Sequence, residues 1–105
     1  MSDSLDAAAS ETADQEVLRR RGKGEAYARI SRHMGFDRSA DAQTAFVRAL
    51  GRLPAPEADR IRVEETSRLD RLAEQIRGDA ERNDIDRARR LATIERLRTR
   101  INQPT

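Results

Sequence analysis

The segment Leu53-Pro54-Ala55-Pro56 constrains the fold more than any other part of the sequence. Each proline removes a backbone N–H donor, and each restricts the residue before it to extended geometry, so a helix cannot run through the segment. On both sides of it, apolar residues recur three and four positions apart, which is the period of an α-helix, and no run reads as a strand. We therefore predict an all-α fold divided by a stiff linker over residues 53–56.

Residues 14–52 form the first predicted domain, with three short helices. Glycines on both sides of Lys23 separate a helix over residues 14–21 from a second over residues 25–34. Gly35 then ends the second helix, because glycine readily adopts the left-handed conformation found at helix C-termini. The third helix extends to residue 52 and carries an alanine-rich apolar stripe.

The second and third helices have the spacing of a helix-turn-helix motif. Ser31 is a small residue where the helices would cross, and Gly35 follows four positions later at the turn. Ile30 and Phe46 can fill the wedge between the two helices. In such a motif the N-terminal, outward side chains of the second helix enter the major groove of DNA. We therefore interpret this domain as DNA-binding.

The outward side chains of the third helix are of types that contact bases and phosphates. Gln pairs with adenine, Arg with guanine or phosphate, and Ser or Thr with either. Basic residues before and after them are suited to the flanking phosphates. Asp37 and Asp41 oppose this interpretation, because both are expected near the phosphates. The predicted DNA-binding residues are Lys23, Arg32, Arg38, Ser39, Gln43, Thr44, Arg48 and Arg52.

The charge distribution along the chain also favours a polyanionic partner. The net charge of +2 is uneven: residues 1–16 hold five acidic and no basic residues, whereas residues 17–52 hold nine basic and three acidic residues, a net +6. Residues 1–13 lack large apolar groups apart from Leu5, so we predict a disordered acidic tail there. The tail would compete weakly with DNA for the basic surface, or shield it within the chain.

Residues 57–101 are predicted to form a long antiparallel α-hairpin. Its helices, over residues 57–77 and 84–101, each carry an apolar stripe, and residues 102–105 are expected to fray. The stripes meet in one seam, where we expect Leu72, but they leave Ile61, Val63 and Ile101 without partners in the monomer. Since 38% of the residues of the chain are charged and only 36% hydrophobic, we expect neighbouring copies to cover these three side chains. The predicted oligomerisation residues are Ile61, Leu69, Leu72, Ile76, Leu91, Ile94, Leu97 and Ile101.

The sequence contains little that would support catalysis. There is no cysteine, His33 is the only histidine, and Gly22-Lys23-Gly24 lacks the other residues of a phosphate-binding loop. No apolar run approaches the ~18 residues of a membrane span. We therefore predict a cytoplasmic protein that is not an enzyme, with no catalytic residue, no metal, no cofactor and no membrane partner.

The string VLRRRGKGEAYARISRHMGFDRSADAQTAFVRAL resembles the helix-turn-helix of small terminase-subunit-like proteins of actinobacterial phages and prophages. Their pattern is a basic helix, a glycine turn, Tyr-x-x-Ile, a Gly-aromatic pair and an alanine-rich helix ending in Arg-Ala-Leu. The resemblance extends over residues 17–101. The matching positions are Tyr27, Ile30, Gly35-Phe36, Ala42, Ala45, Arg48-Ala49-Leu50, Glu64-Glu65, Arg68-Leu69-Asp70-Arg71-Leu72 and Ile85-Asp86-Arg87.

The resemblance implies a role in viral genome packaging. Such a protein recognises double-stranded viral DNA as a homo-oligomer, possibly a ring, in the host cytoplasm. It delivers the DNA to a separate large terminase subunit with ATPase and nuclease activity. Two other interpretations remain open on the residues alone: a small dimeric helix-turn-helix transcriptional regulator, and a helical interaction protein in which Gly35 is only a corner.

Overall fold

The computed structural model describes the backbone of residues 2–103 and the side chains of residues 9–103. The described chain contains five α-helices and no strand, which confirms the all-α prediction. It divides into two compact units, an N-terminal unit up to Pro54 and a C-terminal unit from Ala55. The helices are α1 (Ser2–Gly22), α2 (Tyr27–Met34), α3 (Ser39–Gly51), α4 (Ala55–Arg77) and α5 (Asp84–Asn102).

Helix α1 differs from the expected disordered tail over residues 1–13. The helix begins at Ser2 and continues to Gly22 without a break, and Met1 lies outside the described residues. Alanine has the highest helix propensity of any residue, and the run at residues 7–9 extends a helix that is anchored further along by buried Asp14 and Val17. The absence of large apolar residues therefore did not prevent helix formation here.

A left-handed glycine ends α2 as expected. Gly35 has φ +76°, and its N–H donates to the carbonyl of Arg32 at 3.3 Å. The N–H of Phe36 reaches back to the carbonyl of Ser31 at 2.9 Å, which completes a Schellman motif. Gly24, at φ +89°, ends the α1 region in the same manner. Both turns of the N-terminal unit thus depend on a glycine at the left-handed position.

The start of α3 is held by two side chains. Asp41 accepts a hydrogen bond from the backbone N–H of Arg38, the N-cap residue, at 3.2 Å. Ser31, buried on α2, donates its hydroxyl to the carbonyl of Arg38 at 2.8 Å. The second bond joins α2 to the residue that begins α3, so it fixes the path of the connecting turn.

The core of the N-terminal unit draws side chains from all three of its helices. The rings of Tyr27 and Phe46 pack edge to face, with centroids 6.0 Å apart and planes at 83°. The guanidinium of Arg21 lies 4.3 Å from the centre of the Tyr27 ring. The buried apolar residues are Val17, Tyr27, Ile30, Ala42, Ala45, Phe46, Ala49 and Leu50.

The expected linker over residues 53–56 is shorter in the structure. Helix α4 begins at Ala55 and includes Pro56 in its first turn. Proline is tolerated there because the N–H it lacks has no partner within the helix in any case. The connection between α3 and α4 therefore consists only of Arg52, Leu53 and Pro54.

Helices α4 and α5 pack against each other with the start of one near the end of the other. Arg62 donates to the carbonyl of Ile101 at 2.9 Å, Thr66 accepts from the Asn102 amide at 3.1 Å, and Arg98 pairs with Asp70 at 2.9 Å. Asn102 is thus tied into α5 rather than frayed, and residues 104–105 lie outside the described chain. The buried apolar residues are Ala58, Leu69, Ala73, Ile76, Leu97 and Ile101.

Candidate functional site

The N-terminal half of α3 exposes several of the residues predicted to contact DNA. Arg38 and Ser39 are exposed at the start of the helix, and Gln43 and Thr44 are half-buried one turn later. The buried face of the same helix packs into the core, so the polar face is presented by a rigid support.

Two of the predicted basic contacts, Lys23 and Arg32, have no carboxylate partner among the described residues. Lys23 lies in the turn between α1 and α2, and Arg32 lies in the last turn of α2, both exposed. Arg29, one turn earlier on α2, is also exposed and was not predicted as a contact. Arg38 approaches a carboxylate only at 3.8 Å, where it faces Asp41. Asp41 also accepts a hydrogen bond from the backbone N–H of Arg38, a neutral donor that leaves the repulsion expected from this acid in place.

Arg48 and Arg52, by contrast, are held by a carboxylate of α1. Asp14 accepts from Nε of Arg48 at 2.9 Å and from Nη2 at 3.0 Å, one nitrogen on each of its oxygens. Nη1 of Arg52 donates to Asp14 at 2.8 Å. Only 1% of the Asp14 side chain is exposed, whereas the side chains of Arg48 and Arg52 are 52% and 41% exposed. The two guanidiniums thus cover the carboxylate and retain their outer N–H groups.

The protonation of this cluster follows from its contacts. Burial alone would raise the pKa of Asp14, but the hydrogen bonds and charges of Arg48 and Arg52 outweigh burial and lower it. The hydrogen bond to Asp14 likewise raises the pKa of Arg48. The cluster therefore holds one anion and two cations at neutral pH, a net charge of +1.

The three arginines at the end of α1, residues 19–21, make contacts with other side chains of the N-terminal unit. Arg20 donates to Glu16 at 2.9 Å and to both Glu25 oxygens at 3.2 Å. It also lies 2.7 Å from Nε2 of His33, which must accept because a guanidinium only donates. Arg19 pairs with Glu16 as well, and their hydrogen bond is the main reason that the pKa of Glu16 falls to about 2. Glu25 is already counted in the net +6 of residues 17–52, so the pairs with Glu16 and Asp14 offset only two further positive charges.

The structure buries four of the eight predicted oligomerisation residues and leaves the others exposed or half-buried. Leu69, Ile76, Leu97 and Ile101 are buried between α4 and α5 of one chain, so they are not available to a second copy. Ile101 in particular was expected to lack a partner in the monomer. Leu72, expected in the seam, is instead 43% exposed. The half-buried remainder is Ile61, Leu91 and Ile94.

Other large apolar side chains of the C-terminal unit face outward. Val63 on α4 and Ile85 in the first turn of α5 are more exposed than Leu72. Val63 was expected to lack a partner within the monomer, whereas Ile85 was not predicted to contact a neighbouring copy. An apolar stripe of a two-helix unit does not fit entirely into one seam, so these side chains lie outside it.

Sequence reasoning missed Asp14, which lay at the edge of the predicted tail. The signal was its spacing: Asp14, Val17 and Arg21 follow the i, i+3, i+7 pattern of one helix face. A carboxylate on the same stripe as a buried valine requires a cationic partner. Glu65 on α4 is a second buried acid of this kind, and Arg68 approaches it at 3.6 Å.

No cluster of three metal-ligating side chains occurs within residues 9–103. None of the helices in the described part of the chain combines the length and apolar character needed to cross a bilayer. Compared with protein-family models, with curated proteins and with solved structures, the chain matches none.

Proposed function

We propose that this chain is a DNA-binding protein in which α2, the Gly35 turn and α3 act as a helix-turn-helix motif. The observation that carries the proposal is the exposed start of α3, held rigidly by the Ser31–Arg38 hydrogen bond. Helices of 8 and 13 residues joined by a four-residue turn have the proportions of such a motif. The packing of Phe46 and Ile30 in the core supports a fixed angle between the helices.

The side chains at the start of α3 are suited to a groove of DNA. Gln43 presents an amide that can pair with adenine, and Ser39 presents a hydroxyl that accepts or donates. Arg38 is exposed and only distantly paired, so it is the best candidate for a guanine or phosphate contact. Lys23 and Arg32 are exposed cations that we propose contact flanking phosphates.

The C-terminal unit is proposed to be a helical hairpin that joins copies of the chain. Leu72, Val63 and Ile85 are large apolar side chains that remain exposed in one chain. Burying such side chains is favourable at ~25 cal/mol per Å², so a second copy is a natural partner. Because Leu69, Ile76, Leu97 and Ile101 are already used within the chain, contacts between copies are proposed to centre on Leu72.

The biological role proposed from the sequence resemblance is viral genome packaging. A homo-oligomer of this chain would recognise viral double-stranded DNA in the host cytoplasm and pass it to a large terminase subunit. The chain itself would not be an enzyme, since the ATPase and nuclease reactions of packaging would belong to the large subunit. A dimeric transcriptional regulator is the alternative that uses the same DNA-binding surface.

DNA binding is tested with duplexes chosen by selection from a random pool. Gln43→Ala is expected to lose about 1–3 kcal/mol of binding on the selected sequence and little on random duplex, as a base contact does. Arg38→Ala is expected to weaken binding to every duplex and to reduce the slope of log Kd against log salt by about 0.9 if it contacts a phosphate. Binding is measured by fluorescence anisotropy across a salt titration.

Matched controls come from the C-terminal unit. Arg60→Ala removes the same charge as Arg38→Ala from an exposed site on α4, and Gln75→Ala matches Gln43→Ala. If Gln43→Ala and Arg38→Ala bind like these controls, Gly35 is only a corner and the helix-turn-helix proposal fails.

Self-association is tested by light-scattering mass. Leu72→Asp is expected to lower the mass while keeping the helical circular dichroism, because Leu72 lies outside the seam. A ring of many subunits would support packaging, whereas a dimer would support a regulator. A wild-type monomer at all concentrations would contradict both forms of the assembly proposal.

A further inference from the structure

We propose that Asp14 is a positioning residue that holds Arg48 and Arg52 as a two-arginine clamp for a phosphate of the DNA backbone. The inference rests on the proposed DNA-binding function and adds to it a carboxylate from α1. The clamp joins residues 34 and 38 positions apart in the chain, so it exists only in the folded N-terminal unit.

The hydrogen-bond inventory leaves the outer side of the clamp available. A guanidinium carries five N–H donors. Arg48 uses Nε and Nη2 on the carboxylate, and Arg52 uses Nη1, so Nη1 of Arg48 and Nε and Nη2 of Arg52 retain donors beyond the Asp14 bonds. Since both side chains are about half exposed, those donors lie at the surface around one buried anion. Phosphate oxygens accept from guanidinium N–H groups in this geometry.

The clamp lies on a different side of α3 from the proposed base contacts. Arg48 follows Ser39 by nine residues, about two and a half turns at 3.6 residues per turn, so the two side chains leave α3 on opposite sides. Arg48 is directed to Asp14 on α1, and we therefore assign it to a backbone phosphate rather than to the base edges proposed for Ser39 and Gln43.

The buried carboxylate of Asp14 preorganises the two arginines of the clamp. Because it fixes the rotamers of two long side chains in the free protein, less conformational entropy is lost when DNA binds. The pair of arginines exceeds the charge of Asp14 by one, so the clamp still attracts an anion. A phosphodiester carries the single negative charge that would balance it.

Charge and geometry predict opposite effects when Asp14 is neutralised. Asp14→Asn adds one positive charge to the protein, which by itself strengthens binding to DNA. If Asp14 positions the arginines, the variant binds more weakly in spite of the added charge. If Asp14 merely competes with DNA for the arginines, the variant binds more tightly.

The experiment compares Asp14→Asn with Glu11→Gln in the full-length protein. Glu11 lies on the same helix, is exposed and has no ion pair among the described residues, so the control makes the same charge change. Binding of a random-sequence duplex is measured across a salt titration at a temperature where circular dichroism shows all proteins folded. Arg48→Lys, which keeps the charge and leaves Asp14 intact, is the second variant because it loses the two-nitrogen contact.

We expect Asp14→Asn and Arg48→Lys each to bind about three- to tenfold more weakly than wild type, as loss of a charge-assisted contact does. The slope of log Kd against log salt should fall by about 0.9 for Asp14→Asn, a change that a purely structural tie would not cause. Glu11→Gln should match wild type within about threefold. Tighter binding by Asp14→Asn, or binding equal to Glu11→Gln, overturns the clamp while leaving the proposed function in place. A wild-type protein that binds no duplex overturns both.

Discussion

The two units of this chain bury their apolar side chains with different numbers of helices. In the N-terminal unit, α1, α2 and α3 enclose a core that includes the edge-to-face pair of Tyr27 and Phe46. In the C-terminal unit, α4 and α5 share a single seam, and apolar side chains such as Leu72 and Ile85 remain exposed. Three helices can surround a core, whereas two helices cover only one face of each other. The first unit therefore encloses its core, whereas the second leaves large apolar side chains exposed.

Each unit also contains a buried acid. Asp14 on α1 pairs with Arg48 on α3 and with Arg52, the residue that follows α3. On α4, Glu65 and Arg68 approach each other at 3.6 Å. Because the Asp14 pairs join segments that are distant in the chain, we expect acid to destabilise the tertiary structure of the N-terminal unit through Asp14.

The largest expected effect separates the seam of the C-terminal unit from its exposed face. Leu97→Ala should cost about 2–4 kcal/mol of unfolding free energy because it leaves a cavity, whereas Leu72→Ala should cost under about 1 kcal/mol. Far-UV circular dichroism in urea measures both variants below the assembly concentration. Tyr27 is the only tyrosine and there is no tryptophan, so its near-ultraviolet signal reports the N-terminal unit alone. If Leu97→Ala also shifts the urea transition reported by the Tyr27 signal, the two units unfold as one.

The next prediction concerns acid unfolding of the N-terminal unit. The pKa of Asp14 is lower in the folded chain than the ~3.9 of an unfolded aspartate. The resulting stabilisation is present above the unfolded pKa and is lost as pH falls through the folded one. Asp14→Asn should cost about 1–3 kcal/mol at pH 7, discounted for the half-exposed arginines, and the cost should shrink below about pH 4. The unfolding free energy is measured through the Tyr27 signal. If Asp14→Asn lowers it by the same amount at pH 7 and at pH 3, this account is wrong.

The smallest expected effects compare two glycines of the N-terminal unit that differ only in backbone conformation. A Cβ added to either Gly35 or Gly51 meets no atom within 4 Å. Gly35 has φ +76°, so Gly35→Ala should cost about 1 kcal/mol. Gly51 lies within α3, so Gly51→Ala should stabilise by up to about 1 kcal/mol. Thermal unfolding of both variants gives the sign of each stability change. Equal shifts of the melting temperature would show that a side chain does not strain the left-handed turn at Gly35.

Local features of the sequence were sufficient for the helices and their ends. The apolar period predicted an all-α chain, Gly35 predicted the end of α2, and the helices predicted over residues 57–77 and 84–101 correspond to α4 and α5. These features depend on a few neighbouring residues, whose propensities are strong. The starts of α1 and α4 were exceptions. Alanine-rich, acidic residues are typical both of disordered segments and of exposed helices, and Pro56 of the predicted linker is accommodated in the first turn of α4.

The partners of individual side chains were decided only by the tertiary structure. Arg48 was expected to face DNA alone, but it meets a carboxylate 34 positions earlier, and no local pattern encodes that distance. Leu72 and Leu69 belong to one apolar stripe in the sequence, yet only Leu69 is buried, because the angle of α5 selects which side of the stripe it covers. Periodicity determines which residues share a helix face, whereas the packing of a second helix determines which part of that face loses contact with water.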